Sequence, residues 1–297
     1  MITMSFFSYK GGSGRTSLLC NTIPFLAREL NASPDHPIVI VDCDTESAGL
    51  TFLLDCHKER QQISIQHLCN NGIPEYDKDY EHIYDHPFFK SLPQVAEKFG
   101  FNMDGYNGSI LFLPADLGMV STKEENANPF QLLRKACKDR GVSALIFDTP
   151  SGDQKTARWA TSISNEIVTV MRVTNQFRLG TQRYFKNHLN DWENKKIIIC
   201  PNAVPLENKI QIDGKIINLE EVKEKEFIDK FNEIFSDSET ENELNLEMLE
   251  DDNFGVNEVN RFKYSESILF KVKKDTMLED ERKARESYER LARILVN

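Results

Sequence analysis

The 297-residue sequence predicts an α/β domain, a mostly parallel twisted sheet with helices on both faces. Three observations carry that expectation. Short β-branched or aromatic runs alternate with longer stretches of helical spacing, each run closes on Gly, Pro, Asp or Asn, and a glycine-rich turn joins the first run to the first helix.

The expected strands are Ile2–Ser8, Pro37–Asp42, Ser109–Leu113, Ser143–Asp148, Glu166–Arg172 and Lys195–Cys200, with helices at Thr16–Leu30, Pro129–Arg140 and Arg178–Trp192. A turn cluster, Asn31–Pro37, separates the first helix from the second strand. Residues 55–108 read as short helices and loops placed before the third strand. Residues 206–256 break the strand-helix rhythm and read as an acidic insertion, opened by a hairpin around Ile212–Ile216. Its positions Val222, Phe227, Ile228, Phe231, Ile234 and Phe235 keep helical spacing, whereas Asp237–Glu243 reads as a solvated loop. Over Thr276–Asn297, Leu278, Tyr288, Leu291, Ala292 and Leu295 form one stripe of a closing helix.

Composition narrows the class. Length and 40% apolar residues suit one large globular domain or two small ones, and the continuous strand-helix rhythm is read as a single domain over 1–297 with 206–256 inserted in it. The net charge of −11 is local: residues 219–252 hold fourteen Asp/Glu against three Lys, and the remainder is neutral. That run is a solvated excursion, or alternatively a shield against DNA or a dock for a basic partner. No apolar run approaches the roughly 18–20 residues of a membrane span. The first residues, Met1 to Phe7, lack the basic start and small-residue cleavage site of a secretory signal. The six cysteines show no C-x-x-C pair and fall in apolar patterns, which suits core positions in a reducing cytoplasm.

The chemistry is concentrated where the first strand runs into Lys10-Gly11-Gly12-Ser13-Gly14-Arg15-Thr16-Ser17 and then a helix. Glycines let backbone N–H groups turn inward around phosphate oxygens, and a helix N-terminus favours their charge. A strict P-loop reads G-x-x-x-x-G-K-[ST]; this chain meets it at Gly14 and Thr16, with Tyr9 and Arg15 at the other two fixed positions. A ligand-free glycine turn is the plain alternative for this segment alone. Two further segments favour phosphate. The second strand ends in Asp42-Cys43-Asp44 and the fourth in Asp148-Thr149-Pro150-Ser151-Gly152. In a parallel sheet those carboxyl ends share one edge, beside the loop, and carboxylates with a hydroxyl and phosphate are what Mg²⁺ prefers.

With these segments the chain resembles the ParA/MinD family of P-loop ATPases, whose deviant Walker A motif reads KGGxGKT. The resemblance covers Ile2 to about Phe52 and Ser109 to Asn202, with a weaker match over 256–296, and its distinguishing feature is Lys10-Gly11-Gly12. It implies a homodimer that sandwiches ATP and Mg²⁺, with Lys10 reaching the partner's nucleotide. Gly11, Gly12, Ser13 and Gly14 would surround the phosphates, with Arg15, Thr16 and Ser17 completing the loop's binding set. Thr16, Asp42 and Asp148 would hold the metal and its waters, Asp44 would position the attacking water, and Asn202 would read adenine. Lys10 and Arg15 would stabilise charge during transfer.

Arg15 departs from the family, which has lysine there. A guanidinium is a planar fork and an ammonium a point charge, so the exchange predicts ATP binding with slow turnover. The resemblance also implies a partner protein, and DNA is a further candidate through ten Lys/Arg against seven Asp/Glu between Arg261 and Arg293. Membrane attachment is disfavoured, because Ser287–Val296 reads as the domain's own last helix. The expected function is thus a cytoplasmic ATP-dependent dimerisation switch. Its rivals are a nonhydrolysing nucleotide-binding scaffold and a metabolic ATP-dependent enzyme on the same fold.

Overall fold

The computed structural model describes residues 1–57, 63–73, 86–99, 109–118, 128–172, 175–192, 195–202, 209–212, 215–218 and 279–297. The acidic run, its helical positions, the Asp237–Glu243 loop and Leu278 lie outside the described residues, as does the basic stretch 261–278.

Six strands form one sheet: β1 (Ile2–Phe7), β2 (Ile38–Asp42), β3 (Ile110–Leu113), β4 (Ala144–Asp148), β5 (Glu166–Arg172) and β6 (Lys196–Asn202). Their order is β3-β2-β4-β1-β5-β6 and every pairing is parallel. The expected α/β class is therefore observed, and each strand falls within two residues of its expected bounds.

The helices are α1 (Arg15–Glu29), α2 (Gly49–Leu53), α3 (Ile65–Asn71), α4 (Pro87–Lys90), α5 (Pro129–Asp139), α6 (Lys155–Ile163), α7 (Asn175–Trp192) and α8 (Glu279–Val296). The short elements α2, α3 and α4 occupy the described parts of 49–99. A separate antiparallel hairpin, β7 (Lys209–Ile212) with β8 (Lys215–Asn218), stands where Ile212–Ile216 suggested one.

Strand periodicity divides the core. Side chains alternate between faces. Met4, Phe6, Ile38, Ile40, Phe112 and Ile146 therefore pack with α1 and α8 on one face. Val39, Val41, Leu111, Leu145 and Phe147 pack with α3, α5 and α6 on the other. Phe7, Ile167, Met171 and Ile197 meet Phe177, Tyr184 and Phe185 of α7. Because both faces are covered, β2, β3 and β4 read as near-continuous apolar runs.

Helix α8 closes the first face. Tyr288, Leu291, Ala292 and Leu295 follow i, i+3, i+4, i+7 spacing and all are buried in the core that α1 shares. At its edges Glu289 pairs with Arg28 at 3.5 Å, and the Lys196 ammonium donates to the Ile294 carbonyl at 3.1 Å. The apolar stripe is thereby used within the domain. Among the described residues no helix is long and apolar enough to cross a membrane.

Candidate nucleotide site

The glycine loop leaves β1 at the carboxyl edge of the sheet and enters α1. Gly12 and Gly14 have φ of 78° and 81°, left-handed values that a side chain would strain. Gly14 caps α1 without any side-chain hydrogen bond, so the cap position offers backbone alone. The loop is tied to the turn after β4: the Gly152 N–H donates to the Ser8 carbonyl at 2.9 Å, and the Ser8 hydroxyl donates to the Lys10 carbonyl at 2.7 Å. Lys10, Gly11 and Gly12 are exposed, whereas Ser13 is buried. The Ser13 hydroxyl oxygen accepts from the Arg15 N–H at 3.3 Å.

Sheet order brings the carboxylates in. Strand β4 lies between β1 and β2, and Asp148 is in register with both Phe6 and Asp42. Two aspartates thus end neighbouring strands beside the loop, both buried. Asp42 is held from several sides. Its Oδ2 accepts from the Thr51 N–H at 2.8 Å and the Thr51 hydroxyl at 2.7 Å, and its Oδ1 accepts from the Asp44 N–H at 3.1 Å. Burial and the neighbouring Asp148 charge push its carboxyl up to about 7, against the opposing pull of those hydrogen bonds.

Asp148 is bound to the loop directly. Its Oδ2 accepts from the Thr16 hydroxyl at 2.7 Å, and its Oδ1 accepts from Arg15 Nε at 2.6 Å. Arg15 Nη2 also lies 3.9 Å from Asp44 Oδ2. Asp44 orders the turn that follows β2: its Oδ1 accepts from the Glu46 and Ser47 N–H groups and its Oδ2 from the Ser47 hydroxyl.

The structure thus gathers Arg15, Thr16, Asp42, Asp44 and Asp148 around the loop Gly11–Gly14. A hydroxyl and carboxylates are hard oxygen donors, which fits Mg²⁺. Among the described residues no group of three acidic, His or Cys side chains could hold a metal. Phosphate and water oxygens would have to complete the shell, as Mg²⁺ prefers. Ser17 sits in the first turn of α1, where its carbonyl accepts from the Asn21 amide at 2.8 Å. Asn202 is not in a turn after β6 but is its last residue, opposite Arg172, which corrects the expected strand end at Cys200. Proline lacks the N–H that a central strand needs, yet β6 is an edge strand and accommodates Pro201.

Sequence reasoning missed three parts of the site. Thr51 fixes Asp42 and also accepts from the Ala115 N–H at 3.0 Å, joining the ends of β2 and β3. Tyr9 packs against Gly180 of α7, where an added Cβ would overlap its ring. Helix α6 follows the Asp148 turn, and its Thr156 hydroxyl donates to the Cys43 carbonyl at 2.9 Å. The glycine at 180 was the one local signal for the second of these.

No family model matches the chain, and no curated protein matches it. Solved structures do. The ParA family ATPase of Chlorobium tepidum TLS is 16% identical, with 68% of this chain and 74% of that one covered at a TM-score of 0.50. Cobyrinic acid a,c-diamide synthase from Mycobacterium smegmatis, solved with ADP and magnesium, is 13% identical, covering 69% and 76% at 0.50. The MinD cell division protein of Aquifex aeolicus is 18% identical, covering 67% and 68% at 0.46.

The fold is that of the ParA/MinD-type P-loop ATPases. The six parallel strands and the glycine loop after β1 agree with it. At identities this low the structural likeness shows the fold alone, and function has to be argued from the site.

Proposed function

We propose that this chain is an ATP-dependent dimerisation switch of the ParA/MinD type that acts in the cytoplasm. It binds Mg-ATP, hydrolyses it slowly and thereby controls binding of a partner protein or DNA. One observation carries the reading: Asp148, at the end of β4, accepts hydrogen bonds from both Arg15 and Thr16 of the loop, at 2.6 and 2.7 Å. A ligand-free glycine turn has no need of a buried carboxylate drawn onto it.

Gly11, Gly12, Ser13 and Gly14 would present backbone N–H groups to the phosphates, with Arg15 and Ser17 beside them. Thr16 would hold Mg²⁺ by its hydroxyl, and Asp42 and Asp148 would hold it through water. The ion supplies charge neutralisation between phosphate oxygens. Thr51 fixes the rotamer of Asp42, so that carboxylate is oriented before ligand arrives. Asp44, whose Oδ2 lies 3.9 Å from Arg15 Nη2, would orient the attacking water. Lys10 is exposed and free to extend from the loop toward a second subunit's nucleotide. Asn202 at the end of β6 would read adenine.

The test is mass by light scattering with ATP, with ADP and without nucleotide, paired with phosphate release. A dimer with ATP, a monomer otherwise and slow release are expected. A monomer under all three conditions would refute the switch. A second reading, the nonhydrolysing scaffold, is favoured by Arg15 itself, which is held by Asp148 and lies near Asp44. It predicts an ATP-bound dimer with no phosphate release.

A further inference from the structure

Arg15 stands where the P-loop pattern has lysine, and its side chain is turned onto the carboxylates. It is buried, at 8% exposure, and Nε donates to Asp148 Oδ1 at 2.6 Å. With Thr16 on Oδ2, both oxygens of Asp148 are engaged by the loop. A lysine ammonium carries its donors on one atom, so holding a carboxylate and a phosphate competes for the same point. A guanidinium has five donors spread over a rigid fork and can hold Asp148 through Nε while Nη1 and Nη2 face another anion.

We propose that Arg15 is a built-in counter-ion for Asp148 that takes over part of the electrostatic work of a divalent cation, so that this chain binds ATP with little dependence on magnesium. The inference rests on the nucleotide-binding reading above. A triphosphate entering a site lined by bare carboxylates is repelled unless a metal bridges the two, and that bridging makes nucleotide and metal affinities interdependent. Here one of the two buried carboxylates already has its cation at hydrogen-bond distance. The repulsion is smaller before any metal arrives. A metal gains less in turn, because Asp148 Oδ1 is released to it only if Arg15 moves away.

Isothermal titration of ATP into the full chain tests this, with excess magnesium chloride or with EDTA at matched ionic strength, for the native protein and Arg15→Lys. The native dissociation constant should change by less than about threefold when magnesium is withdrawn, and that of Arg15→Lys should rise by about tenfold or more. A native affinity that falls by more than about threefold in EDTA overturns the proposal. A lysine variant as indifferent to magnesium as the native chain also overturns it, since Arg15 is then not the cause. Circular dichroism melts verify that the variant folds; if it does not, Arg15→Gln replaces it, with the same expectation, and the native comparison stands by itself. Absence of ATP binding by the native chain in both buffers refutes the switch reading and this proposal together, whereas binding that tracks magnesium refutes this proposal alone.

Discussion

Asp42→Asn should stabilise the empty protein at alkaline pH while removing a carboxylate that the proposed function needs. The buried Asp42 carboxyl rises from 3.8 to about 7 in the fold, chiefly through burial and then through Asp148. Between those values the folded state holds a proton that the unfolded state has lost. Folding stability from this group is therefore present below about pH 4, declines as pH rises and levels off above about pH 7. A rise of roughly three pH units is worth about 4 kcal/mol. Asparagine removes that penalty. Its carbonyl can keep both Thr51 donors, but its amide then faces the Asp44 N–H, which now donates at 3.1 Å to Asp42 Oδ1. Such a donor-donor encounter costs about 1–3 kcal/mol. The net expectation is a gain of about 1–3 kcal/mol near pH 8 and a change near zero around pH 5, where much of the penalty is absent from the native chain. Urea unfolding without nucleotide at both pH values measures it. The reasoning fails if the stability difference between variant and native is the same at the two pH values, or if the variant is the less stable near pH 8.

Other consequences are equally direct. Lys10→Ala removes an exposed loop cation; ATP-induced dimerisation should disappear from light scattering, with the melting temperature unchanged. Leu291→Ala empties a position only 2% exposed between α8 and α1, and chemical denaturation should record a loss of about 2–5 kcal/mol. Gly180→Ala gains roughly 1 kcal/mol of helix propensity, yet its Cβ would overlap the Tyr9 ring. Tyr9 adjoins Lys10, so the displaced ring should lower ATP affinity several-fold in titration while the melting temperature moves little.

Much of the site was legible because its residues announce themselves locally. Glycines 11, 12 and 14 mark a bend, and Asp42 and Asp148 each end an apolar run whose two faces are covered. Parallel pairing then does the rest, since neighbouring strands put their carboxyl ends on one edge. The unread parts are tertiary. Thr51 reaches Asp42 across nine residues and Arg15 reaches Asp148 across 133, and no periodicity links such pairs. Helix α6 escaped notice because its sequence, KTARWATSI, carries β-branched threonines that weigh against a helix. Burial explains them: Thr156 and Thr161 are nearly inaccessible, and the Thr161 hydroxyl is satisfied by the Ala157 carbonyl at 2.9 Å. Helix α7 begins at Asn175, three residues before its expected start at Arg178.

Several features that stability alone would not favour lie together at the carboxyl edge of the sheet. Asp42, Asp148 and Arg15 are ionisable groups in the interior, which is costly unless they are paired. Ala48 adopts a left-handed backbone at φ 48°, a strained conformation for a residue with no polar side chain, and its N–H donates to the Asp44 carbonyl at 2.7 Å. Gly12 and Gly14 carry the entropy of unrestrained backbone in the unfolded chain. None of these features improves the packing of the sheet. A fold selected only to bury β2 and β4 could end them in threonine or serine instead of Asp42 and Asp148. Charge buried at the carboxyl edge, while the apolar side chains of the strands pack by simple alternation on both faces, separates the part of this chain built to hold its shape from the part built to hold something else.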